Sequence, residues 1–267
     1  MELDWSILAE HQFRELLLAG MLYTLLIATV STLLSLVLGT ALAAARLAPS
    51  RWLAWPATAW VTLARHVPGV FWVLFFYFAF PELLPDDWGM VLNRWVHFAL
   101  LAGVVGLTVD NATYVSDIVR NGVLAIPRGE QEAAKCCGLN PWQQWTCCLL
   151  PVTLRIVMPP LANRTIHNFK NSSLCMVIGV PELTWATQQI ESLTFRGIEA
   201  TLAATLFYVA LASGVGAWAR RLERSSKHQW RGASDVFQRE RRALREQRLI
   251  ARGWARIGRR LPREQVL

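Results

Sequence analysis

Charged residues are missing from long stretches of this chain. Leu16 to Ala45 contains none. A run that long exceeds what a soluble helix needs and meets the roughly 20 apolar residues that cross a bilayer. No glycine-rich loop ending in Gly-Lys-Ser or Gly-Lys-Thr is present, so nothing points to ATP hydrolysis by this chain, and neither an enzymatic activity nor a cofactor is expected. Cysteine is sparse: Cys136, Cys137, Cys147, Cys148 and Cys175 make five, an odd number and no disulfide framework. The two adjacent pairs lack Cys-x₂₋₄-Cys spacing, so no metal is expected there, and small side chains buried in helix packing is the preferred reading. Basic residues are also unevenly spread. Residues 220–267 hold 15 Lys/Arg against 5 Asp/Glu in a chain of net charge +8, so the excess belongs to the tail and need not describe the body.

Hydrophobic residues make up 54% of the chain and gather in blocks. After Leu16–Ala45 come Trp55–Phe80, Val96–Val115, Val152–Val180 and Ala200–Ala219. The fold expected is all-α, a polytopic membrane helical bundle with about five transmembrane helices. The first block is a poor signal peptide, because Glu2, Asp4, Glu10 and Glu15 precede it and the apolar run is too long. It is expected to stay in the mature protein.

Arg46 and Arg51, then Arg120, Arg128, Lys135 and Arg155, then the tail, mark three basic segments. The N-terminus, Glu82–Arg94 and Glu182–Glu199 are acidic. By the positive-inside rule, five crossings with the N-terminus extracytoplasmic and the C-terminus cytoplasmic satisfy all six segments. This gives an N-terminal segment 1–15, a transmembrane domain 16–219 with a cytoplasmic loop 117–151, and a basic tail 220–267. Trp52, Trp55, Trp88, Trp95 and Trp218 lie near the ends of these segments, as interfacial anchors do. Glycines in the first and third blocks suit close helix packing.

The fourth crossing is the most polar, carrying Asn163, Arg164, His167, Asn168, Lys170 and Asn171. Polar groups in hydrocarbon must face protein or a water-filled path. Asn168, Asn171, Ser172 and Ser173 are therefore candidates for a translocation path, and the last three could also mark a helix break. Asp110 is a further path candidate with Asn111 beside it. The competing reading for that pair is a contact that only holds the bundle together.

Tyr114 to Pro151 reads as two short helices joined at a glycine. Pro127 suits a first helical position, Glu130 to Lys135 are helix formers, and Gly138 suits a left-handed stop. Asn140 is a natural N-cap, Pro141 follows it, and Gln143 sits where a capping box needs its partner. Trp142, Trp145 and Leu149 share a helix face, for docking to a partner or for packing on the chain's own helices.

Glu132-Ala133-Ala134, then Gly138, then Leu150-Pro151 resembles the "EAA" loop of ABC importer permeases. The flanks, Tyr114–Arg120, Ile126–Gly129, Leu154–Leu161, Phe169–Leu174 and Val177–Leu183, resemble the polar amino acid permease family. Phe75–Pro85 looks most like its glutamate/aspartate members. The likeness covers residues 12 to about 220. Departures are Cys148 at a hydrophobic position, Asp117 in place of a common glutamate, and His66-Val67-Pro68-Gly69, which bears on how the second helix starts.

The resemblance implies a type I ABC importer permease fold in the bacterial inner membrane. It also implies an ABC ATPase subunit dimer, a second permease subunit (the same or homologous), an extracytoplasmic solute-binding protein and membrane lipid as partners. Glu132, Ala133, Ala134, Gly138, Trp142 and Trp145 would couple the loop to the ATPase. Glu132 would fix the loop by capping or pairing, and Gly138 would shape the lever. The rival readings are a membrane scaffold acting through its basic tail and a channel or transporter that works without ATP. In the tail, Ile250, Trp254, Ile257 and Leu261 form a basic amphipathic pattern suited to a membrane surface or a partner, or a basic extension with no fixed site. Nucleic acid is not an expected partner.

Overall fold

The computed structural model describes residues 10–136 and 138–228. Residues 1–9, Cys137 and the tail from 229, with its Ile250–Leu261 pattern, lie outside the described residues. The protein is an all-α membrane bundle, as expected. Its helices are α1 (His11–Leu47), α2 (Arg51–Arg65), α3 (Gly69–Glu82), α4 (Asp86–Arg94), α5 (Phe98–Leu124), α6 (Arg128–Cys136), α7 (Pro141–Ile178), α8 (Leu183–Thr194) and α9 (Gly197–His228). Of these, α1, α5, α7 and α9 are each long and apolar enough to cross a membrane.

The directions of the helices follow from who touches whom. Along α1, Ser35 meets Asn111, Gly39 lies against Val115 and Arg46 reaches Asp117, so α1 and α5 run the same way. Helix α3 runs against α5: Gly69 neighbours Asp110, Val73 neighbours Gly106, and Tyr77 stacks on Phe98 at 5.6 Å. Helix α7 also opposes α5, with Val157 at Gly122, Arg164 at Asp110 and Cys175 at Gly103. Ala200 and Ala204 of α9 join Phe13 and Leu17 in one apolar cluster, and Phe207 lies by Leu25 further along, so α9 parallels α1. The chain thus alternates down the bundle.

Against α5, the most buried of the four long helices, lies α1. Its buried face reads Gly20, Thr24, Ala28, Ser31, Ser35, Gly39, at steps of three and four. Lipid tails are as apolar as leucine, so burial of leucines drives little association in a membrane. Close backbone approach and interhelical hydrogen bonds must do it. Accordingly, Leu22, Leu26, Leu33, Val37 and Leu38 point outward and the small and hydroxyl residues point in. A Cβ at Gly39 would lie 2.6 Å from the Val115 Cβ, and one at Gly106 would lie 2.8 Å from the Val73 backbone. Both sites need the absence of a side chain.

The second hydrophobic block is not one straight crossing, which corrects the expectation for Trp55–Phe80. It breaks between Arg65 and Gly69, and α2 is turned 106° from α3. Pro68 caps α3 and cannot continue the preceding helix. Helix α3 alone, about 21 Å long at 1.5 Å per residue, packs along the first half of α5. Tryptophans 52, 55, 88, 95 and 218 are all exposed, as anchors should be.

Two π-helical turns have a common cause. One covers Phe75–Ala79 and is followed by Phe80-Pro81; the other covers Gln144–Leu149 and is followed by Leu150-Pro151. Each proline lacks an N–H and its ring crowds the carbonyl four residues back, and a wider turn relieves both.

The second loop helix and the fourth crossing, expected as separate elements, are one continuous helix, α7. The break expected at Asn171–Ser173 takes the form of a tightening from α to 3₁₀ geometry over Ser172–Ile178. Helix α5 continues past Val115 to Leu124, so Asp117 and Arg120 lie within it. Helix α8, in the acidic segment, had no counterpart in the sequence reading. The burial expected for the paired cysteines is also corrected: Cys136 and Cys147 are exposed and Cys148 half-buried, and among the described residues only Cys175 lies in the core.

Replacing Gly106 with valine is expected to cost about 1–3 kcal/mol by overpacking. Gly214→Ala, where nothing lies within 4 Å, is expected to be neutral or to stabilise by up to about 1 kcal/mol. Thermal unfolding of the two variants in one detergent checks the contrast.

Candidate functional site

The loop is ordered by local amides. Asn140 and Gln143 form a reciprocal capping box: the Gln143 N–H donates to Asn140 Oδ1 at 2.9 Å, and the Asn140 N–H donates to Gln143 Oε1 at 3.1 Å. Gly138 takes φ +68°, the left-handed region that an L side chain resists. Two glutamines pin the loop further. Gln131 Nε2 donates to the Ile126 carbonyl at 3.1 Å, and Gln144 Nε2 donates to the Leu139 carbonyl at 2.7 Å. The sequence reading had missed both. Glu132 and Ala133 are exposed, while Ala134 is buried. Trp142 is 73% exposed and Trp145 half-buried, so Trp142 has little packing against the described residues of its own chain.

Further along α7 a polar cluster ties three helices. Arg164 Nη2 donates to Asp110 Oδ2 at 2.8 Å and its Nε donates to Asn111 Oδ1 at 2.5 Å. Asn111 Nδ2 in turn donates to Ser35 Oγ of α1 at 2.5 Å. The guanidinium also lies 3.8 Å from the Tyr114 ring centroid, within cation–π range. One turn on, Asn168 is fully buried and its Nδ2 donates to Ser31 Oγ at 2.8 Å and Thr32 Oγ1 at 2.9 Å. Its Oδ1 has no partner among the described residues. Asp110, Asn111 and Asn168, singled out from sequence, are therefore brought together with Arg164 and two serines that were not.

The remaining path candidates separate. Ser172 is buried and donates to the Phe169 carbonyl at 2.7 Å, and Asn171 is half-buried. Ser173 lines an open groove of about 470 Å³ with Lys170, Thr184, Thr205 and Tyr208. Tyr208 links that groove to a buried carboxylate that the sequence reading passed over. Glu182, at zero exposure, accepts from the Trp185 N–H at 2.8 Å, the Thr184 N–H at 2.9 Å and the Tyr208 hydroxyl at 3.1 Å. It caps α8 and holds α9 to it. Two backbone donors and a hydroxyl supply what a buried carboxylate needs in place of a cation. A Glu three residues before a helical Trp, following Val180-Pro181, is a signal that could have been read as an N-cap.

Comparison with known proteins bears on what these parts belong to. The family described as "Binding-protein-dependent transport system inner membrane component" matches residues 35–228. The glutamine transport system permease of Escherichia coli (strain K12) is 34% identical over 85% of this chain and 99% of its own length. A probable amino-acid ABC transporter permease of Bacillus subtilis (strain 168) is 32% identical over 78% and 88%. A glutamate/aspartate import permease of Escherichia coli O157:H7 is 29% identical over 79% and 92%. A likeness to glutamate/aspartate members above others is thus not supported. Among solved structures, an amino acid ABC transporter with histidines superposes with a TM-score of 0.73 at 22% identity, covering 84% of this chain and 100% of that one. An inward-facing methionine ABC transporter gives 0.68 at 21%, covering 81% and 99%. Both share the fold. With the match covering most of its length, this chain belongs to the family of inner membrane components of binding-protein-dependent transport systems.

Proposed function

We propose that this chain is the permease subunit of an ATP-driven importer for polar amino acids. The observation that carries the proposal is α7, one continuous helix from the capped turn at Asn140 to the Arg164 cluster. A displacement of the loop would reach the middle of the bundle without crossing a flexible joint. The partners would be an ABC ATPase dimer under the loop, a second permease subunit, and an extracytoplasmic binding protein. The N-terminus would lie outside and the C-terminus in the cytoplasm. Gly138 sets the angle between α6 and α7, and Trp142 offers an exposed aromatic anchor of the kind that dominates protein interfaces. Glu132 and Ala133 lie on the same exposed loop, while Ala134 packs inward.

The substrate class rests on family likeness, since relatives named for glutamine, arginine and glutamate/aspartate all match. Ser173, on the open groove, is the path candidate most accessible to a solute. Asp110 and Asn168 bind helix to helix, and would act on the path by setting where α7 stands against α1 and α5. Asn171 and Ser172 lie where α7 tightens.

Co-reconstituted with its ATPase and binding protein, the chain is expected to show ATPase activity stimulated by a polar amino acid. Gly138→Val is expected to abolish the stimulation while basal hydrolysis persists. Failure of every amino acid to stimulate a stably assembled complex would overturn the substrate class, and failure to bind an ATPase would overturn the importer reading. A second expectation concerns the cluster. Arg164→Met strands a buried Asp110 carboxylate and is expected to cost about 3–5 kcal/mol. Adding Asp110→Asn to it is expected to recover much of that loss, and a thermal-unfolding double-mutant cycle measures the coupling.

A further inference from the structure

Around Tyr114, on α5, charges of both signs gather, and they do not balance. Arg164 lies against the ring at 3.8 Å and Arg65 at 5.1 Å from its centroid. Arg164 is paired with Asp110. Asp117 takes both Arg46, at 2.7 Å, and Arg65. These three guanidiniums face two carboxylates. One positive charge is left over, at the half-exposed end of the cluster where Arg65 lies.

The surplus has a place to be answered. A cavity of about 350 Å³ opens beside it, lined by Arg46, Thr62, Arg65, His66, Tyr114 and Asp117. The Arg46 side chain is 8% exposed, and among the described residues its Nε–H has no hydrogen-bond partner. Arg65 is 44% exposed and keeps donors that Asp117 does not occupy. His66 adds a ring N–H at the rim. Donors from α1, α2 and the turn after α2 thus converge with an excess of positive charge, which suits an oxyanion.

The position of α2 says where that oxyanion comes from. It is turned 106° from α3, which lies along α5, so α2 runs across the bundle and not through it. It carries Trp52 at 92%, Trp55 at 75% and Leu63 at 67% exposure. Exposed indoles on a helix lying across a bundle mark the headgroup level of a bilayer. Basic pockets between helices at that level hold anionic headgroups.

We infer that the Arg46–Arg65–His66 cavity is a binding site for the phosphate of an anionic phospholipid. Seated there, the phosphate would accept from Arg46 Nε and the spare Arg65 donors and neutralise the cluster. It would fasten α2 to the last turn of α1. The site lies at the hinge between α2 and α3, so lipid charge would set how firmly that hinge is held.

The test uses the full chain in nanodiscs, with lipid retention read by native mass spectrometry as phosphatidylglycerol replaces phosphatidylcholine. Wild type is expected to retain phosphatidylglycerol selectively, and Arg65→Gln to weaken that retention about five-fold, the size of one basic side chain's attraction to an anionic headgroup. Arg51→Gln removes a charge from the exposed start of α2, outside the cavity, and is expected to leave retention unchanged. Thr62→Glu puts a carboxylate at the cavity and is expected to remove the selectivity while preserving the fold, which covers the case in which Arg65→Gln does not fold. Equal loss with Arg51→Gln would mean general surface attraction and would overturn the site. So would equal retention by wild type and both cavity variants. Stabilisation in pure phosphatidylcholine by inorganic phosphate or by glutamate, with no lipid selectivity, would assign the cavity to a soluble anion and overturn the lipid.

Discussion

A guanidinium inside a membrane bundle must find its counter-charge and its hydrogen bonds in the protein, and Arg164 finds both on one helix. Asp110 and Asn111 are adjacent residues of α5, and a fork-shaped donor set reaches the two side chains together. Asn111 then passes the constraint to Ser35 of α1. Because each group has few alternatives at that depth, the contact fixes rotation and height of α7 against α5 and of α5 against α1. The small-residue face of α1 follows from the same demand. Hydrogen bonds of this length form only if the helices approach closely, and Gly39 and Ser35 allow it.

The second consequence concerns transmission. Loop helices that end in a flexible joint would lose displacement before it reached the membrane. Here the capped turn at Asn140, the π turn over Gln144–Leu149 and the long helical run to Asn171 are successive parts of α7. The π turn is a widening of the helix, not an interruption, and it sits above Pro151. At the far end the 3₁₀ segment leads into Glu182, whose carboxylate anchors α8 and accepts from Tyr208 of α9. Polar ties therefore hold both ends of the lever and its middle.

What was legible in the sequence was what is local. Asn140, Pro141 and Gln143 specify a cap within one turn, and Gly138 specifies a left-handed stop, so both were readable from spacing alone. The crossings were legible wherever hydrophobicity was long and uninterrupted. The bend at Arg65–Pro68 was hidden because Trp55 to Phe80 is apolar on both sides of it, and composition does not report direction. The π turns carried a local signal in Pro81 and Pro151. The partners of Asn111 and Asn168 lie more than a hundred residues away or across another helix, and no periodicity names them. Exposure of Cys136 and Cys147 was misread because small size suggests burial, whereas the loop leaves both side chains uncovered.

The central claim is that α7 moves as one body, and it is tested by spin-label distances. Labels at Cys147 and at a cysteine replacing exposed Val177 report the length of α7, with the other cysteines removed. A second pair, Cys147 with a cysteine at exposed Leu124, reports α7 against α5. Trapping the ATPase with nucleotide should leave the first distance unchanged and shift the second. A changed first distance would place a hinge inside α7 and contradict the account.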